Sequence, residues 1–192
     1  MSSGVFGYHL GIAPVTHDAK RAQDIVREIS GFDLVPVKLL FTKGLETAGD
    51  YVKTQLRSVG FDPTVSYVAW SDFQKEFAKG AYDVAFFGWK SELGSVSDFY
   101  EQAVHTPDSA KGYGFSNVGK FSDPEIDRLI EEAAEEFDDT KRLALYRNIM
   151  EKLLKNYAYG VPLFEPAALY ASRFGLQFIP RADGYILAQD IH

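Results

Sequence analysis

The chain has 192 residues, 46% hydrophobic and 15% aromatic, enough to bury a core and too apolar for an intrinsically disordered chain. Twenty lysines and arginines against 27 acidic residues give a formal net charge of −7, and with no basic run the chain suits neither nucleic-acid phosphates nor an anionic membrane surface. Zero cysteines exclude disulfides, thiolate metal sites, iron–sulfur clusters and a cysteine nucleophile.

In chain order, Asp18 to Ile29 reads as a helix, with Ala19, Ala22, Ile25, Val26 and Ile29 on one face, Asp18 as N-cap and Gly31 as the stop. Leu34–Phe41 is a buried strand. Leu45, Ala48, Val52, Leu56 and Val59 trace an amphipathic helix ended by Gly60. Thr64–Trp70 is a second strand, Ser71 caps a helix through Phe73 and Phe77 to Gly80, and Tyr82–Phe87 is a third strand stopped by Gly88. Strand–helix–strand–helix–strand with short loops is the pattern of parallel crossover units. The expectation is a parallel sheet with Leu34–Phe41 central.

After Gly88 the pattern changes. Val96–Val104 reads as a short helix, and Thr106–Phe121 as a long glycine-rich loop, the kind that is usually functional or mobile. Asp123-Pro124 opens a long helix with Ile126, Leu129, Ile130, Ala133 and Phe137 facing the core. The next helix buries Leu143, Tyr146, Met150, Leu153 and Tyr157. Val161–Phe164, Ala167–Ala171 and Tyr185–Ala188 read as strands added at the end. The whole is expected to be one α/β domain spanning residues 1–192. No run approaches the roughly 18 apolar residues of a membrane span. Met1-Ser2-Ser3-Gly4 carries neither the basic nor the apolar region of a signal peptide.

Few motifs carry chemistry. Gly44-Leu-Glu-Thr-Ala-Gly49 has phosphate-loop spacing, but Asp50 and Tyr51 stand where lysine and serine or threonine belong, so it reads as a helix start. Gly112-Tyr-Gly114 is weaker still. His9, His17, His105 and His192 share no metal-ligand spacing. No Gly-x-Ser-x-Gly elbow is present. The acidic run from Glu131 to Asp139 reads as a solvated helix face. No metal, nucleotide or other cofactor is expected. Trp89-Lys-Ser-Glu92 is different, because it follows the third strand and ligands of open parallel sheets bind outside the strands' carboxyl ends. Position alone leaves two readings open. In one, Trp89 and Glu92 contact a ligand; in the other, Trp89 packs the sheet edge and Glu92 is merely solvated.

At these residues the sequence resembles the extracytoplasmic solute-binding proteins of peptide, nickel and oligosaccharide ABC importers (solute-binding protein family 5). His17-Asp-Ala-Lys-Arg-Ala22 resembles the family's Y-D-P-x-K-A helix start. Gln55-Leu-Arg-Ser-Val-Gly60 is similar to Q-L-x-x-[IV]-G, and Gly80-Ala-Tyr-Asp-Val-Ala-Phe-Phe-Gly-Trp89 to G-x-Y-D-x-x-x-x-G-W. Phe121-Ser-Asp-Pro-Glu-Ile-Asp127 resembles Y-S-N-P-E-[FV]-D, Arg142-Leu-Ala-Leu-Tyr146 resembles R-x-x-L-Y, and Val161-Pro-Leu-Phe164 resembles [IV]-P-L-[FY]. The resemblance covers nearly the whole chain and corresponds to the carboxy-terminal half of such a protein.

The resemblance implies a periplasmic-binding-protein type II lobe, part of a two-lobed clamp whose amino-terminal lobe and signal sequence lie outside this chain. It implies an extracytoplasmic parent protein, in the periplasm or as a cell-surface lipoprotein. In the family's peptide binders a W-x-x-D aspartate holds the ligand's amino terminus. Trp89-Lys90-Ser91-Glu92 keeps the tryptophan and an acid one methylene longer, and Gly94-Ser95-Val96-Ser97 replaces the following proline turn. Both a peptide and an oligosaccharide therefore remain open as ligand. The leading reading is a non-catalytic binding lobe with Trp89 and Glu92 in the pocket and Phe115 and Asn117 as neighbours, the ligand closing two lobes for recognition by a membrane permease. A glycosidase using Glu92 and Asp98, or a lobe kept for protein–protein contact, is the alternative. An isolated lobe is expected to bind weakly and to leave Trp89 exposed.

Overall fold

The computed structural model describes residues 4–9, 11–12, 16–91, 93–155, 159–181 and 185–191, and Glu92, Tyr157 and His192 lie outside them. Two compact units divide the chain, Thr16–Gly88 and Met1–Val15 with Trp89–His192.

Thr16–Gly88 is built as α1 (Ala19–Ser30), β1 (Val35–Thr42), α2 (Glu46–Ser58), β2 (Phe61–Val68), α3 (Trp70–Lys79) and β3 (Val84–Ala85). The strand order is β2-β1-β3, all parallel, so the first strand is central as expected. Val37, Leu39 and Phe41 alternate onto one face of β1 and pack on Leu45, Ala48, Val52 and Leu56 from the region of α2. Leu40 is buried on the opposite face, which is why β1 reads as a nearly continuous apolar run. Pro63, which brings no N–H, sits on the edge strand β2, where the loss is tolerated. Asp83 of the Tyr-Asp motif extends the β1–β3 pairing: its carboxylate accepts from the Lys38 N–H at 2.7 Å, and its own N–H donates to the Lys38 carbonyl at 2.9 Å.

Three expectations for this unit need correction. β2 ends at Val68, and Trp70 opens α3 one residue before Ser71, because the extended Ala69 offers its carbonyl to Asp72 and Phe73. β3 has only two residues, paired to Leu39 and Leu40, as Tyr82 and Phe87 are drawn into ring contacts with Phe77. The apolar stripe of α1 is mostly exposed: Asp18 and Gly31 cap the helix as expected, but only Val26 is buried, at Gly60, while Ile25 and Ile29 face outward.

In the other unit, α4 (Ser97–Phe99) runs into a π-helical turn, Tyr100–Val104, and α5 (Pro124–Glu135) and α6 (Asp139–Lys155) follow. Val96, Tyr100, Val104, Ile126, Leu129, Ile130, Ala133, Tyr146, Ile149 and Leu153 form one core. Asp123 caps α5 as expected, accepting from Glu125 and Ile126 at 2.9 and 3.0 Å with Pro124 in the first turn. Phe137, expected inside, is 95% exposed because α5 stops at Glu135, and Leu143 also points outward. The acidic run is engaged rather than idle: Glu131 meets Lys111, Glu132 meets Arg128, Asp138 caps α6 and Asp139 meets Arg142.

The added strands are not formed. Among the described residues, 161–164, 167–171 and 185–188 pair with no strand; a single antiparallel bridge joins Phe178 to Ile191, and Ala188–Asp190 makes a short 3₁₀ turn. Their apolar side chains stay exposed, and strand propensity expresses itself only where a neighbouring edge supplies hydrogen bonds. Pro162 and Pro166 remove donors as well.

Candidate functional site

Because β1, β2 and β3 run the same way, their carboxyl ends share one edge of the sheet, the place where ligands of open parallel sheets bind. Trp70 directly follows β2 at that edge and Phe87 follows β3, 68% and 40% exposed. Behind them lies a ladder of rings. Trp70 stacks on the buried Phe73 at 5.8 Å, Phe73 on Phe77 at 5.7 Å, and Phe77 touches both Tyr82 and Phe87 at 5.6 Å. Two aromatic faces are thereby held open to solvent on a rigid support. Sequence reading missed Trp70 by assigning it to the end of a strand. The signal was there in the helical spacing of Trp70, Phe73 and Phe77, which puts the three rings on one face.

The Gly44–Gly49 turn lies at the same edge, and its own acid fills it. The Gly44 N–H donates to Glu46 Oε2 at 2.8 Å, and that bond holds the Glu46 carboxyl below its usual range. Gly49 is small for packing: a Cβ there would sit 2.4 Å from the Tyr67 hydroxyl.

The residues expected to form the pocket all belong to the other unit. Trp89 is half-buried rather than exposed, with Phe99 meeting its ring edge-on at 5.5 Å and 72°. Its indole Nε1 is buried with no hydrogen-bond partner among the described residues. Phe115 stands 68% exposed on the glycine-rich loop. Asn117 is 5% exposed and its amide is committed: Nδ2 donates to the carbonyls of His105 and Phe121 at 3.0 and 2.7 Å, and Oδ1 accepts from the Phe121 N–H at 3.0 Å. That amide braces the loop from within, its N–H groups committed to backbone carbonyls. Gly114 makes the same loop possible, with φ +74 and space for a Cβ only 2.5 Å from Pro107 Cα.

Around this loop the polar side chains hold one another. His105, 3% exposed, stacks on Tyr113 at 4.2 Å, with Nδ1 2.6 Å from the Thr106 carbonyl and Nε2 3.3 Å from Glu131. Lys111 bonds the same Glu131 at 2.7 Å and is the main reason its carboxyl lies below the usual range. No group of three or more potential metal ligands occurs among the described residues. Of the glycosidase pair only Asp98 is described, and its carboxylate accepts from the Phe99 N–H at 2.8 Å.

No family model matches the chain. Among curated proteins it is 20% identical over 176 residues to a probable di/tripeptide-binding protein 5 of Pseudomonas aeruginosa, covering 90% of this chain and 33% of that protein. It is 28% identical over 177 residues to the oligopeptide-binding protein OppA of Mycobacterium tuberculosis, covering 90% of this chain and 28% of that one. Among solved structures, the periplasmic binding protein DppA of Helicobacter pylori in complex with the peptide STSA superposes with a TM-score of 0.72 at 19% identity, over 80% of this chain and 30% of that chain. The chain thus spans about a third of the length of the curated relatives it matches. Helices flanking a parallel three-stranded sheet are the expected type II arrangement, shared with these neighbours. In sequence and in fold, the chain resembles the extracytoplasmic solute-binding proteins of the peptide, nickel and oligosaccharide importer family.

Proposed function

We propose that the chain is the carboxy-terminal lobe of an ABC importer's extracytoplasmic receptor, taking a peptide between two lobes and presenting it to a membrane permease. The observation that carries this reading is the pair of exposed aromatic faces, Trp70 and Phe87, at the carboxyl edge of the parallel sheet. Such faces bury a ligand's apolar side chains without losing rotamer freedom, because the ring ladder already holds them. The relatives' names, di/tripeptide-binding and oligopeptide-binding, favour a peptide over an oligosaccharide and binding over turnover. The sequence-assigned residues Trp89, Glu92, Phe115 and Asn117 are kept as proposed ligand contacts of their own unit. Among the described residues no helix is long and apolar enough to cross a membrane.

A clamp divides its ligand contacts between lobes, so the lobe alone loses about half of a micromolar interaction of roughly 8 kcal/mol and binds in the millimolar range. Backbone amide chemical shifts of the ¹⁵N-labelled 192-residue chain, titrated with tripeptides and with a linear trisaccharide, test this. A weak, saturable response to the tripeptides that Trp70→Ala abolishes is expected, with none to the sugar and no peptide cleavage. A response to the trisaccharide alone, or a peptide response that survives both Trp70→Ala and Trp89→Ala, overturns the reading.

A further inference from the structure

The helical unit carries a cavity of its own, about 350 Å³, lined by Phe6, Ser97, Glu101, Ala133, Arg142 and Tyr146 among others. Arg142 and Tyr146 lie one turn apart on α6 and are the ends of the Arg-x-x-Leu-Tyr motif, which nothing in the proposed peptide site uses. The chain start is pinned to form one wall. Phe6 donates to the Gly94 carbonyl at 2.8 Å and accepts from the Val96 N–H at 2.9 Å, and its ring meets Tyr146 edge-on at 6.2 Å. Gly7 permits this approach, since a Cβ there would lie 2.4 Å from Val96 Cγ2.

Arg142 is held in place but not used up. Its guanidinium lies 4.8 Å from the centre of the Phe6 ring and one Nη bonds Asp139, yet its Nε is buried with no hydrogen-bond partner among the described residues. A guanidinium has five N–H donors and loses free energy when a desolvated one goes unmatched. Glu101 is the opposite case. Burial, and then the negative charge of Asp98, push its carboxyl above the usual range, and a cation set beside it would relieve both effects. One cavity therefore carries an arginine with one donor unmatched, an acid whose carboxyl is pushed up by burial and by Asp98, and an aromatic wall. Its volume sits at the low end of the roughly 300–1,000 Å³ of small-molecule sites.

We infer that this cavity binds a small zwitterion with an apolar body, its carboxylate on Arg142 and its ammonium on Glu101. Among the described residues, the lining comes from one compact unit. The test uses the full 192-residue chain, ¹³C-labelled at methyl groups, titrated with L-phenylalanine, 3-phenylpropionate and phenethylamine. Saturable shifts at the methyls of Leu93, Ala133 and Ala134 are expected with L-phenylalanine, and roughly tenfold or weaker binding of each one-ended analogue, the loss of one charge-assisted contact. Glu101→Gln should erase the preference for L-phenylalanine over 3-phenylpropionate, and Arg142→Gln its preference over phenethylamine. These are ratios within one variant, so a loss of stability does not imitate them, and Glu101→Gln still decides the question if Arg142→Gln fails to fold. No saturable shift at those methyls, equal binding of amino acid and one-ended analogue, or an unchanged preference in Glu101→Gln overturns the inference.

Discussion

Tyr67 reaches from β2 to the start of α2, donating to the Glu46 carbonyl at 3.2 Å and to Asp50 at 3.0 Å, and it occupies the space a side chain at residue 49 would need. Gly49→Ala is therefore expected to lower stability by about 1–3 kcal/mol through overpacking. Urea denaturation should show it, and a Tyr67→Ala background should remove most of the penalty. Asn117 makes a second prediction. Its amide satisfies buried backbone groups of the loop, so Asn117→Ala should cost about 3 kcal/mol, read as a lower urea midpoint, by leaving them unmatched. These two residues also mark where sequence reading reaches its limit. A glycine pair resembles a phosphate loop by spacing, and an asparagine in a glycine-rich loop resembles a ligand contact. Only three-dimensional neighbours reveal the packing and the bracing that they carry.

The helix caps were legible because their signals are local. Asp123-Pro124 before an apolar stripe and Asp18 with Gly31 around another each name a start or stop within a few residues. Asp123→Ala should accordingly lower stability by about 1 kcal/mol in thermal or urea melts. The strands at the chain's end were misread for the opposite reason. Val161–Phe164 has the composition of a strand, but whether it becomes one depends on an edge elsewhere in space. What ties the start of this segment down is Tyr159, whose hydroxyl donates to the Ala103 carbonyl of the π-helical turn and whose ring meets Phe121 edge-on. Burial pushes the Tyr159 hydroxyl up to about 12. An unfolded tyrosine releases its proton near pH 10, so between about pH 10 and 12 the folded state holds more protons than the unfolded one. The contribution is fully present below pH 10 and falls away as pH rises through that window. Urea midpoints measured from pH 9 to 12 should decline, and less steeply in Tyr159→Phe.

On the scale of the molecule, parallel order and the central place of β1 were readable because apolar runs separated by two short crossovers leave few topologies. The aromatic edge was not, since an exposed ring and a core ring look alike in sequence. The order β2-β1-β3 has a consequence in time as well as in space. Interior β1 residues such as Leu39 and Leu40 have strand neighbours on both sides, and their amides cannot meet solvent until the sheet comes apart. In deuterium they should be among the last protons of Thr16–Gly88 to exchange, at a rate set by opening of the whole unit. The exposed Val161 and Leu163, with no strand pairing among the described residues, should exchange far earlier in the same experiment.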